Sequence, residues 1–216
     1  MNVMVLDTET IGNLEKNEDS IVYDIGFTIV DELGNIYDTK SMAISDYFCD
    51  AKMMASAYYK EKIPYYIDEI TQGTRELITL KQAKEIILDY INKYNIKYIS
   101  CHNARFDYKA LTTTQRYRTC SKYRYFFPKN IVIIDTLKMA RKVLKNNNEY
   151  NQFCIENNYL TKRNQKRYTA EILYRFVSGD NNFVEKHMGL DDTIIESKIL
   201  IYLLQFIPIE QGKLWD

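Results

Sequence analysis

Apolar and polar positions divide this chain into short apolar runs that alternate with longer amphipathic stretches. Val3-Met4-Val5-Leu6 is an apolar run ending in Asp-Thr-Glu-Thr, the pattern of a buried strand with polar residues at its carboxyl end. Ile21 to Asp31 is β-rich, Gly34-Asn35 supplies a turn, and Ile36 to Ile44 reads as the partner strand of a hairpin. Asp46 to Tyr66 is rich in Met and Tyr and is expected to hold a short helix before Pro64. From Thr79 to Tyr94, Leu80, Ala83, Ile87, Tyr90 and Ile91 recur at helical spacing, with Thr79 placed to cap the start. Lys97 to Cys101 and Ile131 to Ile134 are further strands, the second ended by Asp135, a cap for a helix over Leu137 to Leu144. Helices are expected over Phe106 to Arg116, part of Asn146 to Asn158, Ala170 to Val177 and Leu190 to Phe206. Strands and helices that alternate after an initial hairpin predict an α/β layer with a mixed sheet. No internal repeat and no linker divides the chain.

Composition narrows the class of partner. The 216 residues suffice for one core without disulfide or zinc staples. With 29 basic and 29 acidic residues, whole-molecule charge attracts no polyanion, so any nucleic acid must meet a local basic patch or a bound metal. Cys49, Cys101, Cys120 and Cys154 form no zinc-like spacing. Neither a signal peptide nor a membrane span is apparent, and a cytoplasmic protein with reduced thiols is expected. The wealth of Asn, Lys, Ile and Tyr fits an AT-rich bacterial host or its phage.

Three carboxylate clusters stand at the ends of predicted elements. Asp7 and Glu9, two apart on a strand, project to one face, where they repel unless a cation lies between them. Asp107 follows His102-Asn103 after a later strand, and His187 precedes Asp191-Asp192 at the start of the last helix. Each has a plain alternative: a solvated strand end for Asp7 and Glu9, a first-turn dipole partner for Asp107, a surface histidine for His187. Together, four carboxylates and a histidine suit two hard divalent ions roughly 3.5–4 Å apart and a proton acceptor, the apparatus of phosphodiester hydrolysis.

The order Asp-x-Glu, His-Asn-Ala-x-Phe-Asp and His-x-x-x-x-Asp resembles the DEDDh exonucleases, the superfamily of the proofreading epsilon subunit of bacterial DNA polymerase III, oligoribonuclease and related RNases. The motifs here are Val5 to Gly12, Cys101 to Asp107, and His187 with Asp192, and Asp135-Thr136-Leu137 also looks like a family feature. The resemblance spans roughly Asn2 to Gln205. It implies a ribonuclease H-like α/β fold with a central mixed five-stranded sheet flanked by helices, an exonuclease domain over residues 1–207, and a short tail over 208–216. It further implies that Asp7, Glu9 and Asp192 hold one Mg²⁺ or Mn²⁺, that Asp7 bridges to a second supported by Asp107, and that His187 is the general base. Family spacing selects Asp192 over Asp191, which would point about 100° away on the helix. A sister branch carries Tyr where this chain has Met188, so the histidine branch is the match.

Substrate contacts follow from the same resemblance. Thr8, Glu9 and Thr10 would hold the terminal 3′-hydroxyl, and Phe106 would sit beside the terminal base, with a core aromatic as the alternative. Asn103 either orients the site or caps the following helix. Two basic stretches could track phosphates: Arg116 to Tyr125, and Lys162 to Tyr168 with Lys166 and Arg167. The second is favoured, and a solvated surface is the alternative for both. The expected partner is a single-stranded nucleic-acid 3′ end, with DNA ahead of RNA, and a DNA polymerase is a candidate docking partner for the segment after Phe206. A non-catalytic binding module would have lost a metal or base residue, and all five are present.

Overall fold

A computed structural model describes residues 1–12, 20–120 and 125–215. The first apolar run forms β1 (Asn2–Ile11), the centre of the sheet. β2 (Ile21–Asp31) and β3 (Ile36–Ile44) extend it antiparallel on one side, while β5 (Tyr98–Cys101) and β6 (Val132–Asp135) extend it parallel on the other. A short β4 (Glu76–Ile78) pairs parallel with β3, giving the order β4-β3-β2-β1-β5-β6. Among the described residues the sheet therefore has six strands rather than five. The extra one is three residues long, too short for period-two alternation to show in sequence.

The two faces of β1 divide the core. Met4 and Leu6 pack in one layer with α4 (Leu80–Lys93) and α5 (Ala104–Thr119). Val3 and Val5 pack in the other with α6 (Thr136–Leu144), α7 (Asn148–Glu156), α8 (Ala170–Ser178) and α9 (Gly189–Leu204). Because side chains alternate along a strand, Asp7 and Glu9 continue the Val3–Val5 row toward α9.

Helix starts follow local chemistry. Thr79 forms a capping box with Gln82 at α4, and Asp135 accepts from the N–H groups of Leu137 (2.9 Å) and Lys138 at α6. Between Ser45 and Gln72 the expected short helix before Pro64 is present, as two single turns, and a further helix follows. The turns are α1 (Ser45–Phe48) and α2 (Ala51–Met54), and Pro64 opens α3 (Ile63–Gln72). A proline lacks only an N–H that the first turn leaves unused anyway, and Gly73 at φ 75° ends that helix.

The N-terminus of α9 lies directly on β2. A Cβ at Gly26 would overlap the backbone of Gly189 and Leu190, so only a bare strand position admits the helix. A 2.7 Å hydrogen bond between the hydroxyls of Thr28 and Thr193 fixes the next turn. The C-terminal segment is also packed. Ile209 is buried, Leu214 N–H donates to the Ile133 carbonyl (2.9 Å), and the exposed Trp215 ring meets Tyr108 edge-on at 4.5 Å. Among the described residues, no helix is long and apolar enough to cross a membrane.

Gly26→Ala is expected to lower stability by about 1–3 kcal/mol, since the added methyl must displace α9. Urea denaturation monitored by circular dichroism measures this, and an unchanged midpoint would mean that the helix can move away without cost.

Candidate active site

The cluster starts with β1. Asp7 and Glu9 share its α9-facing side, and their carboxylate oxygens lie with one of Asp192 within 4.8 Å of one another. Burial raises the Asp7 carboxyl well above the usual carboxylate range, and the charges of Glu196, Asp107, Glu9 and Asp192 add to it. Glu9 is pushed up to about 10, first by burial and then by Asp24, Asp192 and Asp107. Thr8 points to the opposite face and donates its hydroxyl to Asp107 Oδ1 at 2.8 Å, which ties β1 to α5. The ladder between β1 and β2 slips between Glu9 and Thr10, where the strand leaves regular pairing.

The second motif crosses from β5 into α5. Asn103 has a left-handed backbone (φ 66°), which asparagine tolerates better than most residues. Its side chain makes no cap hydrogen bond; instead its N–H donates to Asp135 Oδ1 at 3.2 Å, leaving the side chain exposed at the mouth of the site. Asp107, one turn into α5, is buried, and burial raises its carboxyl to about 7 against the lowering effect of the Thr8 hydrogen bonds. His102 bridges outward: its Nε2–H donates to the Tyr168 carbonyl (2.8 Å), and Nδ1 lies 2.9 Å from Thr136 Oγ1. Burial depresses its pKa, so it is a neutral structural imidazole.

The third motif is held in an unusual conformation. His187 adopts φ 54°, a left-handed geometry uncommon for a residue with a Cβ. Its ring stacks on Tyr59 at 4.3 Å and 7°, with Nδ1 3.8 Å from Glu185 Oε2. Burial lowers its pKa below the ordinary value, leaving the ring neutral at neutral pH. The backbones of Met188 and His187 hydrogen-bond the Asp192 carboxylate, yet burial and Glu185 raise it to about 8. Asp191 turns aside to pair with Lys186 at 2.7 Å.

Asp24 anchors this motif, a role not read from the sequence. It stands opposite Glu9 on β2 and accepts from Gly189 N–H (3.1 Å) and Tyr66 hydroxyl (3.0 Å). Arg75 pairs with it, donates to Glu69 at 2.8 Å and lies over the Tyr66 ring. Two further acids were also missed. Glu185 is raised by burial to about 7 and comes within 4.8 Å of His187 and Asp192. Glu196 is buried one turn beyond Asp192 on the same face of α9. Its sequence signal was a lone acid in the apolar stripe Ile195, Ile199, Leu200 and Leu203.

Two arms of a cleft meet at Tyr59. One, of about 620 Å³, is lined by Thr8, Glu9 and Thr10 on one side and by Phe106, Tyr58 and Tyr59 on the other. Phe106 is thus a cleft wall, not a core ring. The second arm, of about 880 Å³, runs from Asp7, Glu196 and His187 to Arg141, Lys166 and Arg167. The Lys166 ammonium donates to the carbonyls of Leu144 (3.0 Å) and Lys145 (2.7 Å), so it caps the C-terminal end of α6 instead of standing open to a phosphate. Arg167 is exposed at the cleft. In the other basic stretch, Arg118 pairs with Asp46 at 3.0 Å, none of its described residues lines either arm, and residues 121–124 lie outside the described residues.

No protein-family model and no curated protein matches the sequence. Solved structures do match its fold. The nuclease domain of 3′hExo, a DEDDh family member bound to rAMP, aligns at TM-score 0.60 and 13% identity, over 94% of this chain and 92% of that one. A 3′-exonuclease that recognises the histone mRNA stem-loop aligns at 0.59 and 13%, over 94% and 81%. Exonuclease X in complex with 5′-overhanging duplex DNA aligns at 0.50 and 18%, over 98% and 97%. The chain therefore has the ribonuclease H-like fold of the DEDDh 3′-exonucleases.

The buried acids make the metal-free protein pH-sensitive. Asp107, Asp192 and Glu9 are raised to about 7, about 8 and about 10, so the folded chain keeps protons that the unfolded chain loses near pH 4. Fewer protons bound in the unfolded state means that stability falls as pH rises through this window. In chelator, Tm is expected to drop between pH 5 and 8.5, and added Mn²⁺ is expected to raise it more at pH 8 than at pH 6. A Tm that climbs with pH in chelator would contradict the buried cluster.

Proposed function

We propose that this chain is a DEDDh-type, metal-dependent 3′→5′ exonuclease that releases 5′-mononucleotides from a single-stranded nucleic-acid 3′ end. The observation that carries this reading is the convergence of Asp7, Glu9 and Asp192 carboxylate oxygens within 4.8 Å in a cleft edged by His187 and by cations. Buried carboxylates forced together need positive charge, and an all-oxygen donor set suits Mg²⁺ or Mn²⁺ over softer metals. Asp7, Glu9 and Asp192 would hold one ion, and Asp7 with Asp107 a second. Bound there, the pair supplies an activated water and charge stabilisation at the scissile phosphate.

The chain's own groups do the rest. His187, neutral at neutral pH, takes the proton of the attacking water, with Glu185 Oε2 3.8 Å from its Nδ1. The stack on Tyr59 holds that ring in place. Thr8, Thr10 and Phe106 line an arm with aromatic walls that suits a terminal nucleoside, where Tyr58, Tyr59 and Phe106 offer stacking surfaces. Arg141 and Arg167, with Asn103 at the mouth, face the phosphates of the second arm. Lys166 supports that arm by fixing its loop to α6. DNA is the favoured substrate, on the epsilon-like first and second motifs. RNA trimming is the second reading, supported by the likeness to structures holding rAMP and an mRNA stem-loop. The C-terminal segment packs on the sheet through Ile209 and Leu214, and nothing in it specifically supports docking to a polymerase.

The test is digestion of 5′-labelled single-stranded DNA, duplex DNA and RNA with Mg²⁺ or Mn²⁺. The parent is expected to give a ladder shortened from the 3′ end, faster on the single strand, and Asp7→Ala none. Absence of digestion on every substrate with either metal would overturn the enzyme reading. His187→Ala is expected to lose on the order of 10²–10⁴-fold in kcat while still binding Mn²⁺; loss of Mn²⁺ binding would make His187 a ligand instead of the base. Arg167→Ala is expected to raise KM with kcat nearly unchanged and to reduce the salt slope of binding by about one.

A further inference from the structure

Glu196 has no role in the mechanism above, yet its position is demanding. It lies four residues after Asp192 on α9, so the two side chains share the helix face that meets β1. Only 3% of the residue is exposed, and it lines the arm of the cleft that holds Asp7 and His187. The His102 backbone hydrogen-bonds its carboxylate, while Oε2 is buried with no hydrogen-bond partner among the described residues. The charges that act on it most strongly are Asp107, Asp192 and Glu185, all acidic. Of the charges around Asp7, Glu196 is the strongest. A buried acceptor without a donor, set among acids, is stabilised by holding a proton or by a cation in the cleft.

We infer that Glu196 is an additional carboxylate of the metal site, its unfilled Oε2 available to a divalent cation bound in the arm of the cleft that Asp7 also lines. This rests on the exonuclease reading and deepens it. Asp7 and Asp107 alone give the second cation few protein oxygens, and Glu196 adds one from a rigid helix at the position where the fold leaves an acceptor unfilled. A second cation would then be held by side chains from β1, α5 and α9.

The experiment is a Mn²⁺ titration of the full-length chain, stripped with chelator, followed by electron paramagnetic resonance of free Mn²⁺ and by calorimetry. The parent is expected to bind two ions. Glu196→Gln, which keeps the shape and removes the charge, is expected to retain one site and weaken the other at least about tenfold, within the range seen when groups supporting metal ligands are lost. Metal-free Glu196→Gln is expected to melt no lower than the parent, because a buried like charge has been removed, and to gain less Tm from Mn²⁺. Glu196→Asp, which keeps the charge on a shorter arm, should bind with intermediate affinity. Both ions bound by Glu196→Gln within twofold of the parent would overturn the inference while leaving the exonuclease reading intact. A parent that binds no Mn²⁺ would overturn both.

Discussion

Everything at this site depends on holding like charges together against their repulsion. Asp7, Glu9, Asp107, Asp192, Glu185 and Glu196 are each raised above the ordinary carboxylate range, with burial the largest cause in every case. A fold free to relax would turn these side chains outward. It is prevented by contacts made outside the cluster. Gly26 lets α9 sit directly on β2, Asp24 grips the Gly189 N–H, and Thr8 holds Asp107. The Asp24–Arg75 pair is itself buried, so removing either partner would strand a charge beneath the site. His187 belongs to the same arrangement: its backbone is left-handed, its ring stacks on Tyr59, and α9 begins two residues later.

Such preorganisation has a chemical use. Acids that are already desolvated and aligned need little rearrangement when a divalent cation arrives, and a low-dielectric cleft strengthens each interaction with it. The cost appears in the metal-free protein as lost stability at high pH. Cation binding and folding are then linked, since whatever compensates the cluster also stabilises the packing of α9 against the sheet.

The sequence made legible those parts whose cause is local. Strand β1 showed as an apolar run, α4 as a helical stripe with Thr79 at its start, and α6 through the Asp135 cap. The carboxylates at 7, 9, 107 and 192 were marked by spacing and order. What stayed hidden depends on distant pairing. Asp24 gains its role from strand register opposite Glu9 and from Arg75, fifty-one positions away. Tyr59 reaches His187 only once the turns before α3 are in place. Glu196 is masked by the apolar stripe around it, because a helix that is buried all round carries little periodic signal. Lys166 looked like a phosphate contact in a basic run, but the carbonyls ending α6 had first claim on its ammonium.

A neutral chain can still draw a polyanion to an acidic centre if its charges are segregated along the path of approach. The loop from Thr161 to Thr169 carries Arg167 to the cleft, and Arg141 on α6 lies in the same arm, which Asp7 and His187 also line. That loop has little secondary structure of its own; it is held where His102 takes the Tyr168 carbonyl, where Tyr150 donates to the Arg167 carbonyl, and where Lys166 caps α6. Two of these anchors come from helices flanking the sheet and the third from the second motif itself. The histidine of that motif therefore links the two halves of the cleft without touching the chemistry: the acids on one side and the cations on the other are set at a fixed separation. Net charge is the wrong measure for such a surface. The relevant quantity is the change of sign across a single cleft, which in the proposed exonuclease would direct a backbone phosphate past Arg141 and Arg167 toward the acids.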